Sequence, residues 1–243
     1  MTSLEPPGRR YLDRAGELVA RLATDEWPAI DAAAALVADA ISAGGTLHAF
    51  GSGHSHMLAE ELFYRAGGLV RVRPLLFEGL MLHAGAELST RLERLPGLAD
   101  ALFADHGMRA GDVLIVVSNS GGNVVSSALA RLASDAGVSV IALVSRAHAT
   151  SDQARTTDSA RLHEIADIVI DNGGVVGDAA VEVDGMRVGP TSTVVGAAAV
   201  NAIVVEAVAR LRARGLTPDV FTSSNVEGGD AANARLLHPE RVR

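Results

Sequence analysis

The chain opens with two stretches in which apolar side chains return at the helical period. Leu18 and Leu22 mark the first, over residues 9–23; Ile30, Leu36, Val37 and Ile41 mark the second, over 25–43, which Gly44-Gly45 closes. Pro28 falls in the first turn of the second stretch, where proline is tolerated. The pattern then shifts to short apolar runs of strand length at 46–50, 69–76, 112–117, 138–144 and 167–171. Helical patterns at 56–66, 97–105 and 123–136 lie between the first four runs, and the polar segment 148–163 joins the last two. Strands alternating with helices predict an α/β protein with a parallel sheet covered on both faces. Past residue 171 the pattern changes again. Residues 181–188 read as a hairpin about Asp184-Gly185. An apolar helix starts at Pro190-Thr191-Ser192 and ends near Gly215, and the tail 216–243 is irregular and polar. No repeat or linker interrupts the chain. A single domain over 1–243 is therefore expected: leading helices at 9–43, a sheet core at 46–171, and a hairpin, helix and tail at 172–243.

Composition narrows this picture. The chain has 243 residues, ample for one core, and only 3% aromatics, so Ala, Val, Leu and Ile must fill it. A net charge of −8 argues against a nucleic-acid partner, which needs a basic footprint. All 21 basic residues are Arg, so Schiff-base chemistry through Lys is excluded, and the absence of Cys excludes disulfides and thiol nucleophiles. The N-terminal residues show no apolar signal-peptide core. The apolar run 194–211 is broken by Asn201, Glu206 and Arg210 and is short for a membrane span, so it reads as a buried or interface helix. A soluble cytoplasmic protein without membrane contact is expected.

Two loops hold the chemistry. In open parallel sheets, ligands sit beyond the carboxyl ends of the strands, and two strands here end in unusual sequences. After 46–50 comes Gly51-Ser52-Gly53-His54-Ser55-His56; after 112–117 comes Ser118-Asn119-Ser120-Gly121-Gly122-Asn123. In the second loop the glycines let the backbone approach a ligand, the serines offer hydroxyls, and the following helix presents its free amides and positive dipole end. That combination suits an anion, phosphate above all, without any cation. The first loop repeats the logic. Neither carries the third glycine of a dinucleotide fingerprint nor the lysine of a nucleotide P-loop. His54-Ser55-His56 has no obvious third ligand for a metal. No cofactor and no metal are expected.

These residues bring a family to view. FGSGHSHMLAEELFYRAGG together with LIVVSNSGGNVVSSALARLASDAGVSVIALVS resembles the SIS domain, the sugar-isomerase fold, over roughly residues 30–215. The whole-chain layout, with its GHS loop and SSNVEGGDAAN tail, resembles the uncharacterised SIS proteins grouped as a sugar-isomerase or phosphosugar-binding family. The resemblance implies a flavodoxin-like three-layer sandwich on a five-stranded parallel sheet, a homo-oligomer (dimer or tetramer), and a phosphorylated sugar as ligand. It implies phosphate contacts from Ser118, Ser120 and Asn123, with Ser55 nearby; Asn123 stands where the family usually has Thr. The ligand-binding set is accordingly Gly51, Ser52, Gly53, Ser55, Ser118, Asn119, Ser120, Gly121 and Asn123, with Asn225 from the tail if it folds over the site.

Aldose–ketose isomerisation needs a base and a group that opens the sugar ring. By resemblance to the catalytic Glu of phosphoheptose isomerase, Glu61 is the candidate base; Glu60 and Glu61 alternatively form a solvated or subunit-contact face. His54, which matches the GHS pattern, is preferred to His56 for ring opening. His83, His106, His148 and His163 read as solvated. If the tail folds over the site, Glu227 joins Asn225 there; Glu78, after the second strand, is a weaker candidate of the same kind. Asn201 and Glu206 reach either a ligand or a neighbouring subunit, helix–helix packing at a dimer interface being the commoner outcome. The late helix carries no His, unlike phosphoheptose isomerase, so the heptose mechanism does not carry over. The leading expectation is a sugar-phosphate isomerase; the alternative is a non-catalytic phosphosugar sensor.

Overall fold

The computed structural model describes residues 5–154 and 160–237. Residues 1–4, part of the segment ahead of the last strand (155–159) and the end of the tail (238–243) lie outside the described residues.

Five strands form one parallel sheet: β1 (Leu47–Gly51), β2 (Val72–Leu75), β3 (Val113–Val117), β4 (Ser139–Val144) and β5 (Ile168–Asp171), in the order β2-β1-β3-β4-β5. The expected five-stranded parallel sheet is therefore present. β1 and β3 are buried along their whole length, which explains why they read as apolar runs rather than alternating ones. Alternate side chains feed two layers. Val113, Ile115 and Val117 face α1 (Pro7–Thr24), α2 (Trp27–Ser42), α3 (His56–Leu62) and α9 (Ser192–Ala213). Leu114 and Val116 face α5 (Leu98–His106), α6 (Val124–Asp135) and the short α8 (Leu162–Ile165). The remaining elements are α4 (Ala86–Leu92), α7 (Arg146–Ala149), the hairpin β6 (Ala179–Val183) and β7 (Met186–Pro190), and α10 (Gly229–Leu237). The hairpin turns at Asp184 and Gly185, whose φ values of 48° and 81° are the two left-handed positions of a tight turn.

α9 is long and apolar enough to cross a membrane by length and composition. Here it packs against α2 and α3, burying Val195, Ala199, Val200, Ile203, Ala207 and Leu211. Gly196 permits the close approach: a Cβ there would lie 2.4 Å from Leu58 Cδ1.

The structure departs from the sequence pattern in places with physical causes. α3 stops at Leu62, not near residue 66, because Phe63 is extended and Tyr64 is left-handed (φ 44°). Phe63 and Ala66 are consequently exposed. α10 is a helix in the tail that reads as irregular, and α4 lies in a stretch to which the sequence pattern assigns no element.

His106, which reads as solvated, is buried, and it completes a chain of three titratable groups at the amino end of the sheet. Asp112 Oδ2 lies 3.1 Å from His48 Nε2, and His48 Nδ1 lies 3.0 Å from His106 Nε2. With Asp112 as acceptor, the network assigns His48 the Nε2–H tautomer, so its Nδ1 accepts from His106. Burial alone would push the Asp112 carboxyl up, but the amides of Arg109 and Thr46 and the His48 imidazole hold it below its usual range. Burial pushes His48 down, against the pull of Asp112. Burial, then the neighbouring His48, pushes His106 down to about 4.

The unfolded chain takes up these protons near pH 6.5, so stability is fully present above that value and falls as the pH drops from about 6.5 towards about 4. Melting temperature against pH should show that fall, and His106→Gln should flatten it. An equally steep profile in the variant would remove His106 as its source.

Candidate functional site

β1 and β3 are adjacent and in register, with Gly51 opposite Val117, so the loops that follow them start side by side. The sheet order changes direction between these strands, since β2 lies beyond β1 and β4 beyond β3. The crevice opened there is where ligands of such sheets bind.

The first loop folds back over the end of its own strand. A Cβ on Gly51 would lie 2.4 Å from the Ser55 carbonyl oxygen, so only glycine allows the turn. The Ser55 amide donates to the Ser52 carbonyl (3.1 Å), and a short turn over Gly53–Ser55 leads into α3. Ser52 is buried, Ser55 half-buried and His54 exposed. His56, the less favoured histidine, is buried, its Nδ1 paired with the Gly53 carbonyl.

The second loop is locked to the strands beyond it. The Ser118 amide donates to Leu143 (3.1 Å) and the Gly121 amide to Ser118 (3.0 Å), with Gly121 left-handed at φ 62°. The Asn119 carbonyl accepts from the Ser145 amide, and its side-chain oxygen accepts from Asn172 Nδ2 at 2.9 Å. Asn172 in turn accepts from the Gly174 amide at 2.8 Å. Asn123 is the N-cap of α6, yet its side chain makes no capping bond. Among the described residues, the amides of Asn123 and Val124 donate to no protein acceptor, and the Ser118 hydroxyl has no partner. Ser120 Oγ has only a 3.5 Å contact from the Gly122 amide. Helix donors and loop hydroxyls are thus left for an anion.

Beside these loops, Ser55, Leu58, Val117, Asn119, Asn172, Ser192 and Thr193 line a narrow cleft of about 10 Å³, room for about one water. It joins both loops to the start of α9. Asp178 fixes that start, accepting from the amides of Thr191 (3.1 Å) and Ser192 (3.0 Å). Asn172, Ser192 and Thr193 were not singled out from sequence; they lie on separate segments that only the sheet order brings together. A larger cavity, about 190 Å³, opens at the other end of the sheet beside Ile41, Leu69, Arg71 and Leu211, away from both loops.

A further residue joins the site without any signal in the sequence. Glu93, just past α4, reaches between the loops. Its Oε2 accepts from Ser52 Oγ (3.0 Å) and from Asn123 Nδ2 (2.9 Å), and its carbonyl accepts from the Val125 amide (3.1 Å). The side chains of Ser52 and Asn123, expected to meet ligand, therefore meet Glu93 here.

Glu61 stands elsewhere. One carboxylate oxygen accepts from Asn201 Nδ2 at 2.7 Å and the other pairs with Arg65. Asn201 lies nine residues beyond Ser192 on α9, roughly 13 Å along a helix. Glu61 thus sits in the α3–α9 seam, not beside the loops of its own chain. Glu206 pairs with Arg210. Asn225 and Glu227 are exposed, and their segment is held at the β2 edge of the sheet: Gly67 donates to Phe221 (2.8 Å), and the Asn233 side chain clamps Thr222. Among the described residues no hydrogen bond joins Asn225 to either loop. Glu78 is exposed after β2.

A glycine- and serine-rich strand-to-helix loop at the switch point of a five-stranded parallel sheet is the architecture of a SIS domain. Residues 10–145 match the SIS domain family model, and the chain belongs to that family. It is 42% identical over 236 residues to the UPF0309 protein of Listeria monocytogenes serotype 4b (strain CLIP80459), covering 96% of each chain. It is 40% identical over 236 residues to the UPF0309 protein of Geobacillus sp. (strain WCH70), again covering 96% of each. Among solved structures it is similar to a phosphoheptose isomerase from Francisella tularensis (TM-score 0.55, 17% identity, 85% of this chain and 98% of that one). It is also similar to the sugar isomerase domain of an RpiR transcription factor from Sphaerobacter thermophilus (TM-score 0.50, 17% identity, 97% of each chain). Both structures share the fold.

The loop geometry is directly testable. Gly51→Ala must displace the Ser55 backbone, costing about 3 kcal/mol and lowering the melting temperature by roughly 10 °C. Gly53→Ala, left-handed but in open space, should cost only about 1 kcal/mol. Equal melting temperatures for the two variants would refute this account of the turn.

Proposed function

We propose that the protein binds a phosphorylated sugar across the mouths of β1 and β3 and interconverts its aldose and ketose forms by proton transfer. The observation that carries this reading is the set of unpartnered donors at the start of α6, set beside the polar cleft. In this reading Ser118, Ser120 and the α6 amides hold phosphate, while Ser55, Asn119, Asn172, Ser192 and Thr193 meet sugar hydroxyls. Gly51, Gly53 and Gly121 shape the loops, and exposed His54 assists ring opening. Glu61 serves as base only once Arg65 and Asn201 release it. That engagement of both Glu61 oxygens favours a second reading, a phosphosugar sensor without turnover. Asn225 contributes only if the tail segment leaves its edge of the sheet.

The working form is a cytoplasmic homo-oligomer. Val205 and Val194 of α9 are 69% and 43% exposed and Trp27 is 41% exposed, an apolar surface suited to a second copy.

A thermal-shift panel of sugar phosphates, with the unphosphorylated sugars as controls, tests the binding reading. One or two phosphorylated compounds should raise the melting temperature, and Ser120→Asp should abolish the shift by like-charge repulsion. A folded protein that no phosphorylated compound shifts, or an unchanged shift in Ser120→Asp, would overturn the assigned loop. On any compound that turns over, Glu61→Gln should retain binding and lose turnover; full turnover would leave Glu61 out of the chemistry.

A further inference from the structure

We propose that Glu93 is the carboxylate that meets the sugar of the bound ligand, and that Ser52 and Asn123 act as positioning residues that hold it. The inference rests on the reading of the second loop as a phosphate site and adds to it a determinant of specificity. Both loop side chains donate to the same oxygen, Oε2. Among the described residues the other oxygen, Oε1, has no partner in the protein. One oxygen fixed by two donors and one left open is the arrangement of an acceptor held ready for a donor on the ligand.

Charge and place agree. Glu93 is half-buried at the start of α6, where the helix dipole stabilises an anion. It is a negative side chain hydrogen-bonded to both loops, so it repels a bare phosphate placed against it. It welcomes a hydroxyl or amine carried next to that phosphate, because those groups donate. A polyhydroxylated phosphate ester satisfies both neighbours at once: its phosphate takes the Ser118, Ser120 and α6 donors, and a hydroxyl takes Oε1. Glu61 offers no comparable open oxygen, since Asn201 and Arg65 occupy both of its own.

Two alternatives make opposite predictions. If Glu93 merely ties the loops together, its loss weakens every ligand alike. If it is an internal anion occupying the phosphate position, its loss strengthens every ligand. Calorimetric titration of wild type, Glu93→Gln and Ser52→Ala with inorganic phosphate, glucose 6-phosphate and fructose 6-phosphate separates these. Glu93→Gln should leave phosphate affinity unchanged or tighter and weaken the bound sugar phosphate about tenfold or more, the loss of one hydrogen bond to a charged group. Ser52→Ala should move the ratio the same way by less, and carries the test if Glu93→Gln fails to fold. Equal weakening, equal strengthening or an unchanged ratio each overturns the role of Glu93 while leaving the phosphate loop intact. Wild type that binds phosphate but neither sugar phosphate also overturns it. Wild type that binds no phosphorylated probe overturns the loop reading and this inference together.

Discussion

The register that sets Gly51 opposite Val117 decides where everything else at the site lies. Two parallel strands in register must end at the same level. Because the sheet order reverses between them, their chains depart in opposite directions and leave a gap. Glycine at 51 folds the first loop down into that gap, and left-handed Gly121 turns the second into α6. Asn119 and Asn172 then bind the second loop to the ends of β4 and β5. A slip of one residue in this pairing would move Ser52 and Ser118 to different levels and turn every side chain of β1 to the other layer.

Within that frame the proposed phosphate site is built almost without charge. The Asn123 side chain, the natural cap for α6, is turned aside to Glu93, and the Val125 amide is taken by the Glu93 carbonyl. The helix start is therefore partly satisfied from outside and partly open. A site of this kind holds phosphate through dipoles and hydroxyls, which bind less tightly than a guanidinium fork but leave the neighbouring space neutral. A neutral neighbourhood lets a single carboxylate dominate what lies beside the phosphate.

The parallel sheet, its five strands and the two loops were legible because each is a local pattern: an apolar run, a glycine pair, a serine before a helix. What lay beyond reach was set by tertiary contact. Glu93 sits in a charged, solvent-like segment, RLERLPG, and meets Ser52 and Asn123 from 41 and 30 residues away. His106 ends a short helix and precedes a glycine, a position that reads as solvated; it is buried through its pairing with His48, 58 residues earlier. The early end of α3 depends on a left-handed Tyr64, a conformation uncommon for a bulky residue and therefore not one a helical pattern predicts. Glu61 stands out only by resemblance, which carries no information on its bond to Asn201 of α9, 140 residues away.

The two carboxylates divide the molecule's chemistry by what already binds them. An acceptor that has spent both oxygens on a guanidinium and an amide must give up those bonds before it takes a proton, although the guanidinium is half-exposed and its i,i+4 pair is worth only about 0.3–0.5 kcal/mol. Glu61 carries that cost and Glu93 does not. Conversely, Glu61 lies in the α3–α9 seam close to the exposed Met57 and near the apolar surface of α9, so it is the carboxylate that association of two copies would perturb. In the proposed reading Glu93 is then the residue that answers to ligand, and Glu61 the residue that answers to assembly. A protein of this fold acts as an isomerase if the second event frees a base for the first, and as a binding protein if it does not.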